Sequence, residues 1–471
     1  MQVKKNEVFQ HIEIVDLSAK GKGITRINNA VVFVDHTLPG DIIDLEILRK
    51  RKGFYDAKSV LWHTKSQNRQ TAICSHFDIC GGCKIQNMAY DSQLEFKFQQ
   101  VVNSLTRIGG LENPNILPII GNKTTEYYRN KLEYSFSTSR WLSQAEIESE
   151  EAIENRNAVG FHAPGRFDKL VDVTHCYLQE SPSNEIRNFI REYAKEKNFS
   201  FFNPYKHRGQ LRSLFVRTST TQDLMINLVF GEELTDEMEQ LLQTLHTEFP
   251  QISSLFYMVN TKQNDSVYDI EAKHYSGNKF ITEKINHLKF KLGPKSFYQT
   301  NSLQAVRLYE VIKEFGQFKQ NEVIYDLYSG VGSIGLFLAK DVHKVIGIET
   351  VDEAVLDAEE NMKFNKIDNA QYFAGQVEDL LTPEFAEKYG IADTIIIDPP
   401  RPGIHKKVIE AILNLLPKKL IYVSCNPATQ ARDIELLTSA YSFIKAQPVD
   451  MFPHTLHVEN VSLLQLNRNY G

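Results

Sequence analysis

No apolar run in this chain approaches the ~18 residues that a bilayer-crossing helix requires, so no membrane span is expected. Met1-Gln2-Val3-Lys4-Lys5-Asn6 lacks the apolar stretch of a secretory signal, and the expected compartment is the cytoplasm. Cysteine is scarce: the 471 residues hold five, odd in number and unevenly spaced, which argues against a disulfide scaffold. A positive surplus is missing too. The formal net charge is −6, so any contact with nucleic acid has to come from local charge. What is left is an ordinary globular composition, 42% hydrophobic and 24% charged, long enough for about two to four domains.

Positive charge gathers at the start, where residues 1–70 carry 12 Lys and Arg against 8 Asp and Glu, a local net of +4. Strands are expected at His11–Leu17, Ala30–Asp35, Ile42–Arg49 and Tyr55–Trp62, between turns marked by Gly21, Gly23, Pro39-Gly40 and Gly53, as in a small β-barrel. Arg49-Lys50-Arg51-Lys52 falls at a hairpin tip beside Phe54 and Tyr55; cations suit phosphates there and rings suit bases. A four-residue charge run is equally what a solvated turn looks like.

Four of the five cysteines, Cys74-x5-Cys80-Gly-Gly-Cys83 and the remote Cys176, make a complete tetrathiolate set. Zinc and a [4Fe–4S] cluster both fit four sulfurs; the asymmetric spacing, unlike two C-x2-C knuckles, favours iron–sulfur. Four unrelated core thiols are a poorer reading, because three fall within ten residues of a glycine-containing loop. Helical periodicity spans Asp91–Ile108 and stops at Gly109-Gly110. A strand-rich region then runs to about residue 290. Among its recurring cations Arg129, Lys131, Arg140, Arg166, Arg208, Arg212 and Arg217, the first two are candidates for a nucleic-acid channel. The acidic stretch Gln144–Asn157 reads as a surface loop without a chemical role.

From Gly293 onward strands and helices alternate, the signature of a doubly wound α/β domain. Val323-Ile324-Tyr325-Asp326 is a strand whose acid precedes Gly330-x-Gly332-x-x-Gly335, and Val345–Glu349 is a second strand ending in an acid. An acid this close to the glycines would repel a pyrophosphate. It suits a ligand with a sulfonium, an amino group and ribose hydroxyls, in the form that resembles class I S-adenosylmethionine methyltransferases. Thr394–Ile397 ends in Asp398-Pro399-Pro400-Arg401. Leu420–Ser424 ends in Cys425, and Asn426-Pro427 then supplies a natural N-cap and first helical residue. Cys425 is thus expected at the ligand-binding edge of the sheet and at a helix N-terminus, where amides and dipole would lower a thiol pKa from ~8.5 by about one unit. A buried cysteine acting as a small hydrophobe is the bland alternative.

Several motifs then fall in order: Phe297-Tyr298-Gln299-Thr300-Asn301, Asp326-Leu327-Tyr328-Ser329-Gly330, Asp398-Pro399-Pro400-Arg401, Ser424-Cys425-Asn426-Pro427 and His457-Val458-Glu459. Together they resemble the RNA (uracil-5-)-methyltransferase family over nearly the whole chain. The start of the chain, with Gly-x-Gly, Val-Val-Phe-Val and Leu-Pro-Gly-Asp, resembles the TRAM domain, an OB-like RNA-binding module; that module and the four cysteines match the iron–sulfur branch acting on 23S ribosomal RNA. The resemblance implies a TRAM-like barrel over 1–68, a central domain with the cysteine site over 69–292, its helix 91–109 packed on the catalytic domain, and a Rossmann-like methyltransferase domain over 293–471. It implies Cys425 as nucleophile and Glu459 as base; Gln299, Tyr328, Glu349 and Asp398 as S-adenosylmethionine contacts, with Ser333 and Gln376 as lesser ones; and Cys74, Cys80, Cys83 and Cys176 as cluster ligands. A monomer acting on RNA is expected. Ser329 departs from the pattern, standing where some members carry Cys. A tRNA uracil-5-methyltransferase, or a catalytically silent RNA-binding protein on the same scaffold, would share much of this set.

Overall fold

The computed structural model describes residues 4–149, 153 and 155–468. Six strands form the N-terminal sheet: Val8–Glu13, Asp16–Leu17, Gly23–Ile27, Ala30–Val34, Ile42–Lys50 and Phe54–Thr64, in the spatial order first, fifth, sixth, fourth, third, second. Alternation drives it: Ile43, Leu45 and Ile47 bury against Val32, Val34, Tyr55 and Ala57. Gly23–Ile27 is a strand where the sequence suggested a turn. Its glycine is a packing residue, since a Cβ there would lie 2.1 Å from Thr37 Oγ1. At the basic tip, Arg49 and Arg51 both turn their Nε onto Asp56, at 2.7 and 3.3 Å, so half of that charge run is spent within the domain.

The central sheet has seven strands, in the spatial order Lys273–Gly277, Ser254–Val259, Leu224–Phe230, Leu211–Thr218, Lys131–Ser137, Ala158–Ala163, Arg166–Asp172. Helices Ser183–Glu196 and Asp236–Glu248 cover it, burying Ile186, Ile190 and Ala194 from one and Met238, Leu241, Leu242 and Leu245 from the other. Within the acidic stretch Gln144–Asn157, a single helical turn, Gln144–Glu148, is closed by a capping box between Ser143 and Glu146. Arg140 holds Glu146 at 2.6 Å. Residues 150–152 and 154 of that stretch lie outside the described residues.

The C-terminal sheet also has seven strands: Ala370–Ala374, Lys344–Glu349, Val323–Leu327, Thr394–Ile397, Lys419–Ser424, Glu459–Leu466 and Tyr441–Val449. The first five are parallel, and Glu459–Leu466 runs antiparallel to both of its neighbours. Continuous β-branched runs such as Thr394–Ile397 follow from burial on both faces. Helices Ser302–Gly316, Ser333–Leu338 and Asp352–Phe364 pack one face, together with the hairpin Ile281–Ile285/Leu288–Leu292. Lys406–Leu415, Pro427–Leu437 and, from far upstream, Tyr90–Arg107 pack the other. Tyr90–Arg107 contributes Val101 and Leu105, both fully buried. Its end abuts the helix after Cys425: a Cβ on Gly109 would meet Ala431 O at 3.3 Å.

Candidate active site

One edge of the C-terminal sheet collects the chemistry. Asp326, Glu349, Asp398 and Cys425 lie at or just past the carboxyl ends of parallel strands, and Glu459 opens an antiparallel strand at that same edge. The point where strand order reverses, between Val323–Leu327 and Thr394–Ile397, is where such sheets bind ligands.

The glycine loop is built around two carboxylates. Asp326 Oδ2 accepts the Gly335 N–H at 2.9 Å; Glu349 accepts the Gly330 and Val351 N–H groups at 2.9 and 3.0 Å. Gly332 needs its freedom, with φ at 78° and a hypothetical Cβ 2.6 Å from the Tyr372 hydroxyl. Tyr328 holds φ at 63°, a conformation worth about 1–3 kcal/mol of strain in a residue this bulky, of the kind that clusters at ligand sites. Burial pushes Asp326 and Asp398 each up to about 7. The other oxygen of Asp326 and the Ser329 hydroxyl are buried without a partner. Crowded carboxyls and orphaned acceptors fit a cationic ligand carrying donors, as a sulfonium, an amine and ribose hydroxyls would provide. Gln299 is half-buried, and its main-chain carbonyl receives the Asn130 side-chain amide at 2.9 Å. Ser333 already shares a hydrogen bond with Tyr309 (2.8 Å), and Gln376 is exposed at the cap of a short helix. Asp326 and Ser329 stand outside the expected contact set; only Asp326 had a signal, its place before the glycines.

Cys425 follows the strand Lys419–Ser424, and Asn426 caps the next helix as expected, its side-chain oxygen accepting the Ala428 N–H at 3.2 Å with Pro427 in the first turn. Because Ser424 pairs with Asn460, the next step of the register sets Cys425 across from Glu459. Gln430 ties the two strands together through the carbonyls of Tyr422 (2.8 Å) and Asn460 (3.0 Å). Asn426 and Thr429 both donate to the Arg401 carbonyl, which fastens the Asp398–Arg401 loop to the cysteine turn. The expected lowering of the Cys425 pKa does not hold. Burial, then the facing Glu459 and Asp398 carboxyls, pushes the thiol up to about 11, against the smaller pull of Arg401. Glu459 is itself raised to about 8 by burial and by Asp398.

The segment leading into Glu459 is pinned from outside its sheet. Lys97 is fully buried and bonds Asp450 at 2.6 Å and the Phe452 carbonyl at 2.9 Å. Tyr90 donates to the second Asp450 oxygen at 2.8 Å. Tyr128 takes the Pro453 carbonyl, while the Lys84 and Ile85 N–H groups take that of His454. Cys83 directly precedes that clamp. Cys74, Cys80, Cys83 and Cys176 together line a cavity of about 30 Å³. Backbone contacts shape it: Gly81 donates to His162 O, where a Cβ would come within 2.4 Å, and Gly82 N–H points at Cys80 Sγ at 3.4 Å. Cys80 and Cys83 are raised to about 11 and about 12, chiefly by burial and then by the Cys176 and Cys74 sulfurs, with Cys80 adding to the rise at Cys83. Four converging thiols of this kind fit a thiophilic metal centre; zinc and iron–sulfur both satisfy the donor set.

Arg129, Lys131 and Arg217 line a larger cavity of about 320 Å³ with Tyr268, Phe297 and Thr300. Arg129 lies over the Tyr128 and Phe452 rings, and Lys131 pairs with Glu133 at 2.6 Å. Arg217 and Arg212 are buried and bonded to carbonyls, and Arg166 pairs with Asp168.

Residues 205–467 match the family model described as tRNA (uracil-5-)-methyltransferase. An uncharacterised RNA methyltransferase of Bacteroides thetaiotaomicron is 47% identical over 96% of this chain and 100% of its own length. One from Porphyromonas gingivalis is 45% identical over 97% and 100%. Among solved structures, the tRNA (uracil-54, C5)-methyltransferase of Pyrococcus abyssi, in complex with S-adenosyl-L-homocysteine, is 28% identical, covers 97% of this chain and 100% of its own, and superposes with a TM-score of 0.75.

Proposed function

This chain belongs to the tRNA (uracil-5-)-methyltransferase family, and we propose that it methylates C5 of a uridine in 23S ribosomal RNA through a covalent bond between Cys425 and C6. The observation that carries the reading is the register that sets Cys425 across from a buried Glu459.

Uracil C5 is a weak nucleophile. Cys425 gives up its thiol proton to solvent and its sulfur adds to C6, which generates an enolate whose C5 then has the electron density to accept a methyl group. S-adenosylmethionine, when bound, supplies that methyl as an electrophile on sulfur. Gln299, Tyr328, Glu349 and Asp398 would hold it, with Ser333 and Gln376 at its margins. Glu459 removes the C5 proton, C5–C6 becomes a double bond, and the C6–S electron pair returns to Cys425. The target base must leave its stack to reach this edge, at about a few kcal/mol. The cavity of Arg129, Lys131 and Phe297 offers cations and an exposed ring for the flanking RNA, and the N-terminal sheet, read as a TRAM-like module, would supply further RNA contacts.

A tRNA substrate is the second reading, favoured by the specificity of the Pyrococcus enzyme for tRNA uracil-54, since that enzyme aligns with 97% of this chain. Mapping 5-methyluridine in ribosomal and transfer RNA with and without the gene separates the two. Loss confined to 23S RNA is expected; loss at a tRNA position instead would replace the substrate.

The four cysteines are read as ligands of a structural [4Fe–4S] cluster with no redox step in the reaction. Anaerobically purified protein is expected to be brown and to contain iron and sulfide, both lost in Cys83→Ser. Stoichiometric zinc in iron-free, fully active protein would overturn the iron–sulfur assignment.

A further inference from the structure

On the N-terminal sheet, three side chains that the methylation chemistry does not use converge from three adjacent strands. Asp44 belongs to the central strand Ile42–Lys50, His11 to Val8–Glu13 on one side and His63 to Phe54–Thr64 on the other. One potential ligand atom of each lies within 4.8 Å of the other two. His63 Nε2 is 2.6 Å from Asp44 Oδ1, the His11 backbone N–H donates to the same oxygen at 2.9 Å, and the two imidazoles stack with centroids 3.8 Å apart. Asp44 is buried, whereas both histidines are exposed.

We propose that His11, Asp44 and His63 form a binding site for a divalent transition-metal ion, of the zinc, cobalt or nickel class, on the N-terminal sheet and separate from the four cysteines. Two features of construction favour a site over a chance contact. The first is a pair of irregularities flanking a single carboxylate. Register shifts between Phe9 and Ile12 on one neighbour of Asp44, and between Ile42 and Ile43 against the other, where His63 stands between the paired residues Trp62 and Thr64. Bulges re-aim side chains: here one brings the His63 imidazole to Asp44 Oδ1, while the other presents the His11 backbone N–H to that oxygen and stacks the His11 ring on His63, with His11 at a φ of 52°. A single histidine would have been enough to satisfy Asp44.

The second is the donor set. Two neutral imidazoles and a carboxylate are ligands that zinc and its neighbours accept, leaving further positions for water. Ligand atoms about 2.0 Å from a tetrahedral ion stand roughly 3.3 Å apart. An imidazole lone pair lies in its ring plane, so binding requires the two rings to turn out of their stack until both planes meet at the ion, while the His63–Asp44 contact opens and the proton between them is displaced.

Cobalt(II) titrated into the full-length protein, after a chelator has cleared labile ions and with the cysteine site loaded, tests this. One equivalent is expected, with the visible absorption of a nitrogen–oxygen site and without the intense sulfur-to-cobalt band that binding at the cysteines would give. Trp62 adjoins His63 and is one of two tryptophans in the chain, so its fluorescence should be quenched by the ion, and still be quenched in Trp141→Phe. His11→Gln and His63→Gln, both at exposed positions, should each weaken binding at least tenfold while leaving iron and sulfide content unchanged. Absence of uptake, or equal uptake in both variants, would overturn the proposal and leave the trio a hydrogen-bonded staple of the sheet. Neither result bears on the uridine chemistry, which Cys425 and Glu459 carry elsewhere.

Discussion

Glu459→Gln protein is expected to stall with RNA covalently attached. The amide keeps the size and hydrogen bonding of the carboxyl but cannot take the C5 proton, whereas Cys425 and the methyl-transfer step remain intact. Turnover should fall by about 10²–10⁴-fold, the usual worth of a positioned base. The adduct should survive denaturing electrophoresis, carry label from the methyl donor, and vanish when Cys425→Ala is added; Cys425→Ala alone should abolish methylation. The raised carboxyl gives the reaction a pH signature. Glu459 sits at about 8 because burial and Asp398 disfavour its charge. It is therefore protonated, and useless as a base, below that pH. Resolution of the wild-type adduct should accelerate as pH rises through about 8 and level off above. An inactive Glu459→Gln that forms no adduct would mean that Glu459 acts before methyl transfer; a wild-type rate would move the base elsewhere.

Local chemistry was the legible part of this site. The β-branched run ending in Cys425, the Asn426-Pro427 cap, and the acids closing the strands at Asp326 and Glu349 are each written within a few residues, and each is found at the strand or helix end it implied. Helix Tyr90–Arg107 lies within one residue of its expected limits because its periodicity is local too. The Cys425 ionisation was misjudged for the complementary reason. The helix terminus that would lower its pKa adjoins it in sequence, but the burial and the Glu459 and Asp398 carboxyls that raise it come from other strands. Helices Ser183–Glu196 and Asp236–Glu248 lay unassigned in a region read as strand-rich, although Ile186, Ile190 and Ala194 recur at the helical interval; flanking strand-like runs obscured them. Nothing local could announce Lys97 and Asp450, 353 residues apart, as partners.

That pair carries the largest expected effect on stability. Lys97 has no exposure, and burial drives its pKa down while Asp450 opposes the shift. Asp450→Ala would leave the ammonium buried without its counter-charge, and would also strip the Tyr90 hydroxyl and the Phe452 N–H of their acceptor. A loss of about 3–5 kcal/mol is expected, read as a lowered midpoint in urea. Replacing both charges, as Lys97→Met with Asp450→Leu, should cost less than the sum of the single changes, since no unpaired charge then remains. The chemical consequence is separable from the stability. Asp450 begins the segment that runs through Phe452, Pro453 and His454 to Glu459, and each of those three carbonyls is already held by a residue upstream of position 130. Loosening this strap should displace the base more than the nucleophile, which rests on its own strand and cap. At a temperature where it is still folded, Asp450→Asn should therefore bind RNA and form the Cys425 adduct, yet resolve it slowly, as a weaker version of Glu459→Gln. Normal adduct resolution in a folded but destabilised Asp450→Asn would show that the pair secures the domains without aiming Glu459.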